Sequence, residues 1–259
     1  MRVDAPGSRE RLPAADRNFV GGLRTLIGLQ PGSEERRFGA AIAFDSRIPV
    51  RFFNGLAVLA PTDPAEADAA LDWLGTRGTP HEVWIREDIA DPLRAALEQR
   101  DFVAQDWVEP VMAIAPIVQT RPPPEGVTIR EVNDADTLEE QIAAQVAGGL
   151  PEGPIRMFMT PTFVGRDDIR CFTACLDGRP VGHSIAIHTG DVAGVYSVGV
   201  AESVRGRGVG TAVTWAAVEA GREWGASLVV LQSSKMGFGV YRRMGFEVIG
   251  HYEIHRPGS

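Results

Sequence analysis

The chain has 259 residues, enough for one large domain or two of ordinary size, and 44% of them are hydrophobic, ample for packed cores. Its formal net charge is -8, and Lys235 is the lone lysine beside the arginines; this argues against nucleic acid as the main partner and either mildly favours neutral or cationic substrates or simply serves solubility. No apolar run of signal-peptide length follows Met1-Arg2-Val3-Asp4, and nowhere do about 18 uncharged apolar residues run together, so no membrane span is expected and a cytoplasmic location follows.

In chain order, residues 1 to 16 are polar and are expected to be poorly ordered. Ala40 to Phe44 and then VRFFNGLAVLA read as strands. Asp63-Pro64-Ala65-Glu66 is a helix start, with Asp as cap, Pro at the first helical position and Glu at the third. Ala67, Ala70, Leu71 and Leu74 then recur at helical spacing. A strand at HEVWIRE, a helix across PLRAALEQR and a strand from Phe102 to Ile114 complete the first half.

The stretch Gln119-Thr120-Arg121-Pro122-Pro123-Pro124-Glu125-Gly126 cannot continue a helix or a central strand, and the chain is divided there into domains 1–120 and 127–259. The second half opens with strand VTIREV and a helix capped near Asp134 running through TLEEQIAAQVAGG. A further helix is predicted within 152–168, then strands at RCFTACLD, PVGHSIAIHT and AGVYSVGV. After a glycine-rich turn, Val209, Val213, Ala216, Ala217, Ala220 and Trp224 share one helical face. Strand SLVVLQ, helix GFGVYRRM and a strand from Phe246 to His255 end the chain. This order makes an α+β fold with a mixed, mainly antiparallel sheet and flanking helices, not the strict alternation of a doubly wound fold.

No metal site is expected. Cys171 and Cys175 lie four apart on a predicted strand, so their Cα atoms are about 13 Å apart, too far for a disulfide. His251 and His255 have the same spacing, which suits zinc on a helix and not on a strand.

The turn Arg205-Gly206-Arg207-Gly208-Val209-Gly210-Thr211 follows a strand and opens a helix. Free N–H groups of the first helical turn and the positive end of the helix dipole converge there, and bare glycines let an anion reach them. Such a place binds phosphate. No lysine follows Gly210, which excludes the P-loop pattern, and the spacing G-x-G-x-G differs from the dinucleotide fingerprint, whose acid is also missing from Leu231-Gln232-Ser233.

Arg205-x-x-Gly208-x-Gly210, placed after Val198-Gly199-Val200, resembles the acetyl-CoA signature of the Gcn5-related N-acetyltransferases (GNAT), written R/Q-x-x-G-x-G/A. Downstream, Tyr241-Arg242-Arg243-Met244-Gly245-Phe246 matches that family's second hallmark, Y-x-x-x-G-F, and the likeness covers roughly 127–255. The resemblance implies an acyl-CoA N-acyltransferase fold in which the main chain of Val198, Gly199 and Val200 pairs with the pantetheine arm, leaving a splayed strand. It implies that the amides of Gly206, Arg207, Gly208, Val209, Gly210 and Thr211 hold the pyrophosphate, beside Arg205. Ser234 stands where the family often has an asparagine directed at the pantetheine.

Tyr241 looks like the family's general acid, and a phenol protonated at neutral pH is a ready donor to a departing thiolate. No motif fixes the base that takes the amine's proton. Tyr196, His183, His188 and Glu202 are candidates beside a water relay, and Tyr196 shares strand phase with Val198 and Val200, which would line it on the cleft.

The end of the first half, VWIREDIADPLRAALEQRDF, aligns with VVLQSSKMGFGVYRRMGF as a degenerate copy in which Leu97 replaces Tyr241 and Asp101 replaces Gly245. Its strand-to-helix turn LAPTDPAE holds no glycine and no arginine, so a tandem GNAT-like chain with a non-catalytic first domain is expected. The resemblance implies acetyl transfer from acetyl-CoA to a primary amine of a small molecule or peptide, without metal, nucleic acid or membrane, and leaves a homodimer open. A non-catalytic acyl-CoA sensor is the alternative.

Overall fold

The computed structural model describes residues 7–117 and 121–258, the side chains of Ser8 and Arg9 excepted. They fall into two compact units that are not the sequential halves. The first takes the described residues up to Met112 together with Gln232–Phe238 and those from Val248 onward; the second takes those from Ala113 to Leu231 and Gly239–Glu247. The linear division near residue 120 thus differs from the packing, because the last strand of the chain is built into the first unit.

In the second unit, β7 (Val127–Glu131), β8 (Ile169–Leu176), β9 (Arg179–Thr189) and β10 (Val192–Val200) are successive antiparallel neighbours. β11 (Leu228–Gln232) joins β10 in parallel. Between β7 and β8 run α4 (Ala135–Ala147), α5 (Glu152–Phe158) and a 3-10 turn at Pro161–Phe163. Asp134 caps α4 in a reciprocal box with Thr137, whose N–H donates to Asp134 Oδ1 at 2.8 Å. α6 (Val209–Glu223) follows β10, and α7 (Phe238–Met244) follows β11. Every element predicted for this half is present in the predicted order.

The two long helices bury opposite faces of the sheet. Gln141 of α4 accepts from Thr173 Oγ1 at 2.7 Å, whereas Ser184 Oγ, next to the register partner of Thr173, donates to the Val213 carbonyl of α6 at 2.8 Å. Bare backbone brings α6 close: a Cβ at Gly182 would stand 2.8 Å from Val209 Cγ1, and one at Gly221 2.9 Å from Ala193 Cβ. Val209, Val213, Ala217 and Ala220 are buried as the helical spacing predicts.

The first unit repeats these pairing senses. β2 (Ala41–Asp45) is antiparallel to β1 (Glu34–Phe38) and to β3 (Gly55–Val58), and β4 (Glu82–Arg86) runs parallel to β3. β12 (Glu247–Pro257) then pairs antiparallel with β4 and with β5 (Phe102–Ala104), its first residue alone belonging to the second unit. β6 (Glu109–Ile114) runs across the boundary between units. Leu56, Val58, Val83 and Ile85 pack with Leu71 and Leu74 of α2 (Pro64–Gly75) and Leu93 and Leu97 of α3 (Asp91–Gln99). α2 is capped as predicted: Asp63 Oδ1 accepts from Ala65 N at 2.9 Å and Glu66 answers on the Asp63 N–H. Asp63→Ala is expected to cost the unit about 1 kcal/mol, read as a lower denaturation midpoint.

Three expectations for the first half are corrected. Residues 1–6 lie outside the described set, but 8–16 are not loose: they begin α1 (Ser8–Gly28), which buries Phe19 against Trp84 and Tyr252 and ties Asp16 to the Tyr252 hydroxyl at 2.6 Å. The run VRFFNGLAVLA is not one strand. Asn54 is fully buried, accepts from Ser46 and donates to the carbonyls of Ile48, Val50 and Pro80, fixing a 3-10 turn at Arg51–Phe53 before β3 starts. The strand from Phe102 to Ile114 is broken between β5 and β6, where the Trp107 indole donates to the Ser233 carbonyl at 2.9 Å. Gln119 and Thr120 fall outside the described residues, and 121–124 carry no helix or strand, as their prolines require. Among the described residues no helix is long and apolar enough to cross a membrane.

Candidate active site

β10 and β11 part company. Their parallel rungs are Val192↔Leu228, Ala193↔Val229 and Gly194↔Val230, and none follows although β10 continues to Val200. The cause lies in β10 itself: its register against β9 slips between Tyr196↔Ile185 and Gly199↔His183, with Ser197 at φ 49 as the extra residue. Such a bulge bends and over-twists a strand. Val198, Gly199 and Val200, half-buried, therefore stand beside an opening on the β11 side.

The bulge also changes which side chains share a face. Antiparallel partners point the same way, so Tyr196 with Ile185 and Gly199 with His183 face α4, while Val200, opposite Gly182, faces α6. Val200 Cγ2 would indeed lie 3.3 Å from a Cβ on Gly210. The shared phase expected for Tyr196, Val198 and Val200 is thus overturned for Tyr196 and Val200 by one inserted residue.

Beyond the opening, a 3-10 turn at Glu202–Val204 leads into two left-handed glycines, Gly206 at φ 78 and Gly208 at φ 80. Gly208 is the N-cap of α6 and has no side chain with which to cap it; the first helical bond runs from Ala212 N to Gly208 O at 3.0 Å. The amides of Val209, Gly210 and Thr211 are left without intrahelical partners, at the positive end of a 15-residue helix. Arg205, paired with Glu202 at 3.7 Å, and the exposed Arg207 flank the turn. This is a built anion cradle. Converging free N–H groups at the positive end of a helix are what an anion requires.

Tyr241 sits on α7, which ends at Met244 before the left-handed Gly245. The tyrosine is buried, its ring edge-on to Phe246 at 5.9 Å, and its hydroxyl lies beside Thr214 of α6. Thr214 Oγ1 in turn donates to the Gly210 carbonyl at 2.7 Å, so the phenol is joined through one residue to the glycine turn. Burial pushes the Tyr241 pKa up to about 12, the contact with Thr214 opposing it, and the phenol stays protonated at neutral pH.

The base candidates separate. His188 stacks on Trp224 at 5.3 Å at the other end of the β9–β10 ladder, and Glu202 is exposed and paired with Arg205. Burial raises the pKa of the half-buried Tyr196 phenol, so it stays protonated at neutral pH and is not available as a base. His183 lies against Gly199: a Cβ there would stand 2.2 Å from its Nε2, and one on Gly148 3.1 Å away. Its other edge meets Ser197, and burial pushes its pKa down to about 4, so the ring is neutral.

Ser234 is exposed and belongs to the segment Gln232–Phe238 of the first unit, where its Oγ and carbonyl accept from Gly237 N. It caps that turn. Sequence reasoning missed Thr214 and the Ser197 bulge; the first is visible in retrospect as one polar residue inside an apolar helix, the second has no sequence signal.

The profile described as "Acetyltransferase (GNAT) family" matches residues 137–246, which span the opened strand, the glycine turn and Tyr241. Residues 137–246 are thus a GNAT-family domain. Over nearly its whole length the chain also has the fold of solved structures. A GCN5-related N-acetyltransferase from Kribbella flavida aligns with TM-score 0.71 and 22% identity over 95% of this chain and 96% of that one. One from Sphaerobacter thermophilus aligns with TM-score 0.57 and 22% identity over 85% and 78%. A tandem GNAT protein from the clavulanic acid biosynthesis pathway aligns with TM-score 0.59 and 15% identity over 92% and 88%. No curated protein sequence matches the chain. The first unit therefore shares the GNAT fold, while the family profile takes in only its segment Gln232–Phe238 beside the second unit. Cys171 and Cys175 are both free and buried, and no cluster that could hold a metal occurs among the described residues.

Proposed function

We propose that the chain is an N-acetyltransferase that uses acetyl-CoA as cosubstrate and acetylates a primary amine of a small molecule or peptide by direct transfer. The observation that carries this reading is the strand β10, parted from β11 and followed at once by an uncapped turn with two left-handed glycines. The free edge of Val198 to Val200 can pair with the amide-bearing pantetheine arm, and the amides at the start of α6 can hold the pyrophosphate. The neutral amine attacks the thioester carbonyl, the C–S bond breaks, and the departing thiolate takes the Tyr241 proton. A water relay or the His183 edge receives the amine's proton; the pKa lowered to about 4 by burial makes His183 a weak base for it.

Release of free CoA in the presence of amines, read with a thiol reagent, tests the reading. Binding of CoA without release by any amine in a broad panel would favour the alternative, an acyl-CoA sensor.

The first unit is read as catalytically silent. Its parallel pair β3–β4 keeps register over all of β3, from Gly55↔Glu82 to Val58↔Ile85, so no slot opens. The helix start that matches the glycine turn is closed by the Asp63 carboxylate, which occupies an amide and repels phosphate, and Leu97 is buried at the place of Tyr241. Calorimetry should therefore give one CoA per chain; a stoichiometry near two overturns the silent assignment.

A further inference from the structure

Gln145 of α4 is fully buried, yet its side-chain Nε2 and Oε1 both lack a hydrogen-bond partner among the described residues. Its neighbour one turn earlier, Gln141, is equally buried and is served: Oε1 accepts from Thr173 Oγ1 at 2.7 Å and Nε2 donates to the Ser184 carbonyl at 3.4 Å. An amide stranded in this way destabilises the fold, because its lost hydration is not repaid. A leucine or methionine would fill the same place without that cost, so the polar group asks for a partner that the folded chain does not supply.

Its position narrows the choice. Gln141 lies over the Thr173–Ser184 region of β8 and β9, and Gly148, the C-cap of α4, meets the His183 ring. Gln145 is placed between them on the sheet-facing side of the helix. His183 reaches from there to the bare Gly199, next to the opened edge of β10. The glycine turn is on the α6 side, and this α4 side, whose polar groups are buried, is the other face of the same strand. The polar groups gathered on it, Gln141, Gln145, Thr173 and neutral His183, carry no charge with which to hold an ion.

We infer that Gln145 reads the acceptor: its amide hydrogen-bonds an uncharged hydroxyl or amide group carried beside the amine that is acetylated. This rests on the transferase reading and names its substrate class, an amine with a neutral donor–acceptor neighbour in place of a purely aliphatic or multiply charged one.

The test compares wild type with Gln145→Met and, as a second packing variant, Gln145→Leu. Selectivity is the ratio of kcat/KM between an amine and its analogue stripped of the neighbouring polar group, starting with glycinamide against propylamine and glucosamine against cyclohexylamine and extending to the best amine of the panel. Wild type should prefer the polar member by at least about tenfold, because an unmet buried amide penalises the stripped one. Both variants should lose the preference, keep wild-type CoA affinity, and melt roughly 2 °C or more higher, since an orphan polar group has been removed. Unchanged selectivity in the variants overturns the inference, as does a fall in melting temperature of both, which would mean that an ordered water satisfies Gln145 for structural reasons. A wild type that binds CoA and releases it with no amine overturns the transferase reading instead, and the inference with it.

Discussion

Gly208→Val is expected to weaken CoA binding by at least a hundredfold, about 2.7 kcal/mol. The route is not the filling of an anion's place, because the side chain points elsewhere: a Cβ on Gly208 would stand 2.8 Å from Pro124 Cγ. The φ of 80° is costly for a branched residue as well. The turn must therefore move off Pro124 or leave the left-handed region, and either change swings the amides of Val209 to Thr211 away from a common focus. Stability will fall with it, so a control is needed that carries the backbone cost alone. Gly225 supplies one, since it has φ +76 and nothing within 4 Å of its would-be Cβ. Gly225→Val should lose stability and keep CoA affinity. Calorimetry on both variants, below their melting temperatures, decides: equal affinity in Gly208→Val and wild type removes the glycine turn from CoA binding.

The glycine turn was legible because its residues have no other common reason to alternate before a helix, and the elements of the second half because their periodicities are unambiguous. Local capping was equally readable: Asp63 and Asp134 cap the helices that their sequences announce. What stayed hidden depends on contacts between distant segments. The charged run Glu34-Glu35-Arg36-Arg37 gives no apolar alternation, yet it is a strand because it lies at a sheet edge with β2 as its partner. β12 reads as the end of the second half, and only its pairing with β4 assigns it to the first unit. Within the site, the phase of Tyr196 was misjudged because a serine at φ 49 inserts a residue that no spacing rule foresees. The orphan state of Gln145 is likewise a property of what surrounds it, although two glutamines four apart on an apolar helix face are themselves a visible oddity.

Tyr241→Phe should lower kcat by about 10² to 10⁴ while leaving CoA affinity near the wild-type value. The hydroxyl is needed only as negative charge gathers on sulfur, so its loss falls on the transition state and spares the ground state. The structural role of the same hydroxyl is small by comparison: losing its polar contact with Thr214 costs about 1 kcal/mol at most, and the ring keeps its packing on Phe246. A tyrosine that mattered only for packing would therefore show a slightly lower melting temperature and an unchanged rate per folded molecule. The pH dependence gives a second reading of the same variant. An acid must be protonated to act, and with a pKa of about 12 Tyr241 remains so until pH approaches that value, so it should contribute no basic limb between pH 6 and 10. Within that interval the Phe variant should keep the shape of the wild-type profile and lose its height. Near-normal kcat at saturating acceptor would take the proton donor away from Tyr241 and leave water or the acceptor itself to protonate the thiolate, whereas a basic limb that disappears in the variant would keep Tyr241 as the donor and place its pKa below about 12.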